Sequence, residues 1–419
     1  MKDNDHIFGD VSPSNFLQEY WQQKPLLIRN AFPDYSCPIN ADEMAGLACE
    51  PEVESRIILE HAGEYPWQCE HGPFKESRFS QLPETHWTLL VQSCNLHVTV
   101  FARLLEQFRF IPNWRVDDIM VSYAAPGGSV GPHVDNYDVF LLQAKGCRHW
   151  DISSQTFTET DFVADLDIRI LKSFSAESSW KLEAGDMLYL PPGVAHHGVA
   201  DSDLDGDDCI TISIGFRAPN YTELTTALLD DVLSQHAINQ NSSKTADFYQ
   251  DPNIELQDNP GEISAQALLK INDMVQQELN RKLQDSDWFG KYLTSNAEIN
   301  DVLPSDDELS DNTQSEMSPE QCLQPLAEGR QLVRNESSKL LFYISKYADA
   351  SRIHFFCNGH VAYYSQEMLP IISLICNHRF PASSLLGDLQ IDLHVQSFLA
   401  NLIRQGHLYY ERDVDDDEN

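Results

Sequence analysis

No C-x-x-C pair occurs in this chain: its nine cysteines are scattered singly from Cys37 to Cys376. An odd, unpatterned set argues against a disulfide framework and against a structural zinc site. It predicts reduced thiols packed mostly as small apolar side chains. Apolar runs long enough to span a bilayer, about eighteen residues, are also missing, so no membrane span is expected. Met1 to Asp10 is polar and acidic, with neither a basic flank nor an apolar stretch. It reads as neither a secretory signal nor a transit peptide, which makes the cytoplasm the expected location. Positive charge is scarce: 28 Lys and Arg stand against 65 Asp and Glu, a net charge of -37. Such a surface repels a polyanion, so direct contact with bare DNA or RNA is not expected, whereas a basic partner would be drawn in. The same charge also suits solubility or adaptation to salt. There is no internal repeat.

What is present is enough material for more than one core. The 419 residues are 42% apolar and 10% aromatic, and that length predicts two or three folding units. Residues 1–220 carry short β-type runs between Gly and Pro turns, the pattern of an all-β barrel or sandwich. The clearest runs are Lys24–Arg29, Asp118–Tyr123, Asp138–Gln143, Asp186–Leu190 and Cys209–Gly215, with some helix around Val98–Phe108. From Tyr221 the period changes. Leu224, Ala227, Leu228 and Leu233 predict one amphipathic helix, and Leu268, Leu269, Ile271, Met274, Val275, Leu279 and Leu283 a longer one. Apolar stripes of this kind suit pairing between two copies, so 221–295 is expected to be a helical dimerisation region of a homodimer. Residues 296–324 read as an acidic linker, and 413–419 as an acidic tail. Between them, 325–412 hold a compact α+β pattern. Asn358-Gly359 marks a hairpin, helices are expected at Met368–Cys376 and Leu393–Arg404, and Gly406 stops the second before a strand at His407–Tyr410. Helices with a small hairpin suggest a winged-helix-like module. It is close to neutral and lacks a basic recognition helix, so it reads as a protein-interaction or packing module.

The residues that carry chemistry lie in the β-rich part. A Gly-rich stretch, Pro126–Pro132, delivers the chain into His133-Val134-Asp135. Side chains two apart on a strand face the same way, as two ligands of one metal must. Sixty-one residues after Asp135, following a rigid Pro191-Pro192-Gly193 turn, comes His196, with His197 next to it. Neighbouring residues cannot both face the metal, and His196 is taken as the third ligand. Two histidines and one carboxylate on one side of a metal form the facial triad of non-haem Fe(II) oxygenases, leaving positions for a bidentate 2-oxo acid and dioxygen. The far carboxylate of such a cosubstrate needs a cation. Arg148, thirteen residues after Asp135 at the start of the next strand, could grip it through two parallel hydrogen bonds. Ser122 and Ser213 are candidate hydroxyls beside it. A guanidinium substrate would want carboxylates and aromatic faces at the pocket mouth, for which Asp118, Tyr137 and Asp138 are candidates.

With these residues in view, Tyr20–Arg29, Pro126–Phe140, Pro191–Gly198 and Gly215–Asn220 resemble the bacterial JmjC ribosomal oxygenases over residues 14–220. The order that follows, a helical region and then a winged-helix module, is similar too. The resemblance implies a double-stranded β-helix (JmjC/cupin jelly-roll) barrel. It implies Fe(II) bound by His133, Asp135 and His196, with 2-oxoglutarate held by Arg148 and Ser122. It further implies 3-hydroxylation of an arginine on large-subunit ribosomal protein sixteen. Two features depart from the family: His197 stands where an acidic residue is expected, and the acidic stretch near residue 300 is expanded. Rival readings are a ribosomal-protein histidine hydroxylase or lysyl demethylase on the same barrel, and a non-catalytic metal-binding cupin that serves as a docking module.

Overall fold

The strand Cys209–Phe216 alternates small polar and large apolar residues, and the fold decides which set goes inside. In the computed structural model this strand is β12. It joins β1 (Leu26–Ile28), β2 (Ser55–Leu59), β3 (Gln68–His71), β4 (Trp87–Val91), β5 (Val116–Ala124), β7 (Asp138–Lys145) and β10 (Met187–Leu190). Together they form an eight-stranded antiparallel sheet ordered β1-β10-β7-β12-β5-β4-β2-β3. A smaller sheet is built from β6 (His133–Val134), β8 (Arg148–Ser153), β9 (Ser178–Leu182) and β11 (Ala195–Ala200), in the order β6-β11-β8-β9. The two sheets share an interior core, where Val139, Leu141, Leu188 and Leu190 of the large sheet meet Trp150, Ile152 and Leu182 of the small one. This is the jelly-roll barrel that the motifs imply.

The large sheet's outer face is also buried. Ile210, Ile212, Ile214 and Phe216 of β12 join Phe140, Tyr189, Ile119 and Val121 in a core with Phe16, Met44, Phe101 and Phe108. Phe16 sits on the helix Pro13–Glu19, with its ring centroid 5.5 Å from that of Phe140 and 4.9 Å from that of Tyr189. That helix begins where it does because the Ser12 hydroxyl accepts from the Asn15 N–H and Pro13 occupies a position needing no N–H donor. Apolar surface is thus covered on both faces of β7, whose residues are buried from Asp138 to Ala144. This explains why its sequence reads as a continuous apolar run rather than an alternation.

The structure describes residues 7–9, 11–60, 67–164, 166, 168–201, 208–238, 249–252, 261–285, 287–295, 317–347, 350–381 and 392–411. The chain divides into two compact units, Met1–Ala218 and Pro219–Asn419. In the second, helices span Tyr221–Ile238, Ala265–Gln284 and Asp287–Thr294. Lys282, only 1% exposed, ties the second helix to the first through Asp231 at 2.6 Å. Leu229, Leu233, Leu268, Leu269, Ile271, Val275 and Leu283 nevertheless remain exposed on these helices. The third helix lies on the sheet β14 (Leu340–Tyr347), β15 (Ala350–Cys357) and β16 (His360–Tyr364), where Asp287 accepts a hydrogen bond from the Tyr363 hydroxyl at 2.6 Å.

β15 and β16 form the hairpin that Asn358-Gly359 announces; both turn residues have positive φ, 41° and 81°. Helices Leu369–Asn377 and Leu393–Arg404 complete this core, and β17 (Leu408–Tyr410) pairs with β13 (Leu332–Arg334). Of the stretch read as acidic linker, 296–316 lies outside the described residues, while its last part enters a helix, Pro319–Ala327, capped by Ser318. The tail 413–419 lies outside the described residues as well.

Candidate metal centre

Two turns at one end of the barrel carry the candidate ligands. The first is the Gly-rich stretch after β5, which runs so close to β4 that a Cβ on Gly128 would collide with the Trp87 carbonyl oxygen. It ends in β6, where His133 pairs directly with His196 of β11. β6 covers only His133 and Val134, with Asp135 just beyond it. The second turn, Pro191–Val194, leads into β11, and its Gly193 N–H donates to the Asp135 carbonyl at 2.8 Å. The ligand-bearing turns are therefore hydrogen-bonded to each other.

The outcome is a tight cluster. His133 and His196 have ring centroids 4.2 Å apart. The nearest Asp135 oxygen is 3.9 Å from His133 Nε2 and 3.5 Å from His196 Nε2. Among the described residues this is the group of His, Cys, Asp and Glu side chains close enough to share a metal ion, with candidate ligand atoms all within 4.8 Å of one another. Each imidazole has its Nδ1 on a backbone carbonyl, His133 on Gly131 at 2.9 Å and His196 on Val194 at 3.0 Å. With the proton on Nδ1, each Nε2 lone pair points into the cluster, the usual orienting arrangement for a metal-bound histidine. Burial, aided by neighbouring His133, pushes the His196 pKa down to about 4, so the ring is neutral and available to a metal at physiological pH. This donor set fits an octahedral, oxygen-tolerant divalent ion such as Fe(II).

His197 follows on the same strand and so turns to the other side of the small sheet. It stands across from Asp151 and meets the Phe174 ring edge-on at 6.2 Å. Gly198 permits the indole of Trp150 to lie close to His196, because a Cβ there would come within 2.6 Å of the ring.

Arg148 opens β8 and is only 2% exposed, yet its Nε and Nη2 have no hydrogen-bond partner. A buried guanidinium with unmet donors calls for an anion. Ser122 and Ser213 lie on the same parity as Asp118 and Thr211, facing the barrel interior. The Ser122 hydroxyl donates to the Thr211 carbonyl at 3.3 Å. Three interior polar residues escaped the sequence reading: Thr88, Gln143 and Thr211, the last donating to Gln143 Oε1 at 3.0 Å. Their signal was the polar–apolar alternation of β12, which by itself does not say which parity is interior.

The three residues expected at the pocket mouth part company. Asp118 accepts from the Ser93 N–H at 2.9 Å, and burial, with Asp117 and Glu54 nearby, raises its pKa to about 6. Tyr137, partly exposed, has its phenol pKa raised by burial and by the carboxylates of Asp135, Asp118 and Asp117, which places an aromatic face among acidic groups beside the cluster. Asp138 does not belong there. It is fully buried on the opposite face of the large sheet, bonded to Tyr189, Gln22 and Arg115. The expectation fails because sequence proximity to the metal loop does not tell one face of a strand from the other.

Replacing His133, Asp135 or His196 singly by Ala is expected to abolish Co(II) binding at micromolar metal, read as loss of the visible absorption band, while far-ultraviolet circular dichroism stays unchanged. Wild-type Co(II) affinity in any of the three would remove that residue from the ligand set.

A JmjC domain family matches residues 103–224, and a ROXA-like winged helix family matches residues 277–409. The chain is 31% identical to the ribosomal protein uL16 3-hydroxylase of Escherichia coli (strain K12), across 95% of this chain and 97% of that one. It is 39% identical to a probable ribosomal oxygenase of Haemophilus influenzae, across 51% of this chain and 52% of that protein. Among solved structures, the Escherichia coli ribosomal oxygenase YcfD in complex with cobalt and 2-oxoglutarate superposes with a TM-score of 0.75 at 30% identity, covering 96% of this chain and 99% of that one. Similarity over nearly the full length of both chains, joined to a barrel with a His-Asp-His cluster and a winged-helix unit, places this chain in the JmjC family of bacterial ribosomal oxygenases.

Proposed function

We propose that this chain is an Fe(II)- and 2-oxoglutarate-dependent protein hydroxylase that 3-hydroxylates an arginine of a basic large-subunit ribosomal protein. The observation that carries the reading is the pairing of a His-Asp-His cluster with Arg148, a buried guanidinium whose Nε and Nη2 have no partner. His133, Asp135 and His196 would hold the iron, and Arg148, with Ser122 and Ser213 of the facing sheet, the far carboxylate of 2-oxoglutarate. Iron, 2-oxoglutarate and dioxygen together supply, when bound, the oxidising power to place one oxygen atom in a substrate C–H bond. The chain's own residues orient and exclude water. Carbonyls of Gly131 and Val194 fix the imidazoles, Trp150 and Ile152 wall the interior, and Arg148 fixes the cosubstrate's direction.

At the mouth, Asp118 and the face of Tyr137 suit a guanidinium, which would sit beyond the metal so that an aliphatic C–H meets it. The net charge of -37 supports a cationic partner, with steering that weakens as salt rises, and disfavours nucleic acid. No helix among the described residues is long and apolar enough to cross a membrane. The cytoplasm, where ribosomal proteins are made, is the proposed location, with the free protein or an early assembly intermediate as substrate.

Arg148→Ala should raise the 2-oxoglutarate requirement by roughly two orders of magnitude, since a buried charge-assisted contact contributes about 2–3 kcal/mol. An unchanged apparent affinity in succinate-release assays would assign that carboxylate to another residue. For the substrate, the enzyme is incubated with iron, 2-oxoglutarate and a panel of ribosomal-protein peptides. A gain of one oxygen on an arginine is expected, whereas a gain on histidine, or methyl loss from lysine, would overturn the reading. Because the Asp118 pKa is raised to about 6, its carboxylate is about half formed near that pH and becomes the main form above it. The KM for the arginine peptide should therefore fall as pH rises through 6, and Asp118→Asn should flatten that step. Finally, the exposed leucines of helices 221–294 are proposed to pair two copies. Light scattering at micromolar concentration should give twice the 47.6 kDa chain mass, and a monomer mass would refute the pairing.

A further inference from the structure

The motif Tyr20–Arg29 does no chemistry in the site just described, yet it contains a strained residue. Gln22 has φ of 57°, a left-handed conformation unfavourable for a residue with a Cβ. Such strain persists where the surroundings over-determine it. Here two hydrogen bonds do so: the Gln22 N–H donates to the Tyr189 hydroxyl at 2.8 Å, and Gln22 Nε2 donates to Asp138 Oδ2 at 2.9 Å. The Tyr189 hydroxyl in turn donates to Asp138 Oδ1 at 2.6 Å, and Arg115 Nη2 donates to Asp138 Oδ2 at 3.0 Å. Trp21 closes the assembly by stacking on Tyr189, centroids 5.8 Å apart, with the Arg115 guanidinium 5.2 Å from its ring. The carboxylate at the centre is 0% exposed, a costly burial met by three donors from three separate segments.

The carboxylate and two of its three donors lie in segments that continue into the site. Asp138 begins β7 three residues after Asp135. Tyr189 lies in β10 two residues before Pro191, whose turn delivers His196. Arg115 precedes β5, three residues before Asp118. Asp138 and Tyr189 lie on the outer face of the large sheet, against the N-terminal helices, so they do not touch the metal cluster. Whatever they do for it passes through the strand ends.

We propose that Asp138, clasped by Tyr189, Arg115 and the strained Gln22, is a positioning residue that holds the turns bearing Asp135 and His196 in ligating register. The proposal rests on the metal-centre reading above, and it makes the N-terminal motif the lock on the back of the site. Only a carboxylate accepts all three donors with its two oxygens. An Asn of the same shape offers one acceptor oxygen and an N–H2 that would face a donor.

The test uses the full chain with Co(II) as the probe. Wild type, Asp138→Asn, Tyr189→Phe and Gln22→Gly are titrated with Co(II), and each signal is normalised to the folded fraction measured by circular dichroism. Asp138→Asn is expected to weaken Co(II) about tenfold, in line with groups that support metal ligands, and to alter the visible band. Tyr189→Phe keeps the ring packing and should weaken Co(II) by a smaller factor. Gln22→Gly relieves the backbone strain but loses the side-chain bond, so it too should bind metal less tightly even if its melting temperature rises. With 2-oxoglutarate and a substrate peptide, the ratio of succinate to hydroxylated product should rise in Asp138→Asn, because a misplaced site uncouples. Co(II) affinity and product ratio within about twofold of wild type, per folded molecule, would reduce Asp138 to a structural residue and overturn the proposal. Should Asp138→Asn fail to fold, the same readouts on Tyr189→Phe decide. Failure of the wild-type chain to bind Co(II) would overturn the metal-centre reading, and this proposal with it.

Discussion

Two imidazole rings held 4.2 Å apart beside a carboxylate, inside a barrel, set the demands that the surrounding structure meets. Left to themselves, polar groups brought together out of water would rotate toward solvent or toward each other. The two rings are instead tied to rigid backbone, and the turn that carries the carboxylate is tied to the one opposite. The Nδ1 atoms rest on the carbonyls of Gly131 and Val194, and the Asp135 carbonyl holds the Gly193 N–H of the opposite turn. Pro191 and Pro192 stiffen that turn, and the pairing of His133 with His196 sets their separation. Little in the cluster has to reorganise before a metal binds, which is what preorganisation requires.

A second demand follows from the first. A barrel that lodges Arg148, Ser122, Thr211 and Gln143 inside cannot derive all its stability from that interior. The apolar burial is moved outward, to the face of the large sheet covered by Phe16, Met44, Phe101 and Phe108. The N-terminal helices are therefore part of the barrel's stability rather than a decoration on it. Full burial of one such aromatic contributes on the order of 2–3 kcal/mol. The Tyr189–Asp138 hydrogen bond sits at this same outer interface, where both residues are shielded from water and the contact is correspondingly stiff, with Gln22 closing it from the exposed side.

The second unit is built differently. Its winged-helix core is closed by Leu332, Ile353, Ile372, Phe398 and Leu399. The helices before it keep a row of leucines exposed, 66% in the case of Leu269. One buried ammonium, Lys282 on Asp231, ties two of those helices without covering the row. These exposed apolar side chains along two helices are the physical ground for proposing a second copy.

Much of the site is legible in the residues alone. His133-Val134-Asp135 after a Gly-rich stretch, and His196 after Pro191-Pro192-Gly193, are local patterns in which backbone geometry dictates where side chains go, and the structure brings them together. Arg148 is legible as the residue that opens a strand, and the fold buries it. The hairpin at Asn358-Gly359 and the helix Leu393–Arg404 are legible for the same reason, since turn chemistry and capping act within a few residues. What stays hidden is the sense of each alternation. Period two along β12 and β7 says that Thr211 and Ser213 share a face and that Asp138 and Phe140 share another. It does not say which face encloses the metal. That is decided by the N-terminal helices covering the outer surface, a contact between residues more than a hundred positions apart, such as Phe16 and Phe140. For this reason Asp138 faces away from the cluster, Thr88 and Gln143 turn inward unannounced, and the strain at Gln22 has no sequence signal. Local sequence determines periodicity and turn geometry, because those depend on neighbouring torsions. Only the tertiary fold decides inside from outside, because burial depends on what distant segments cover.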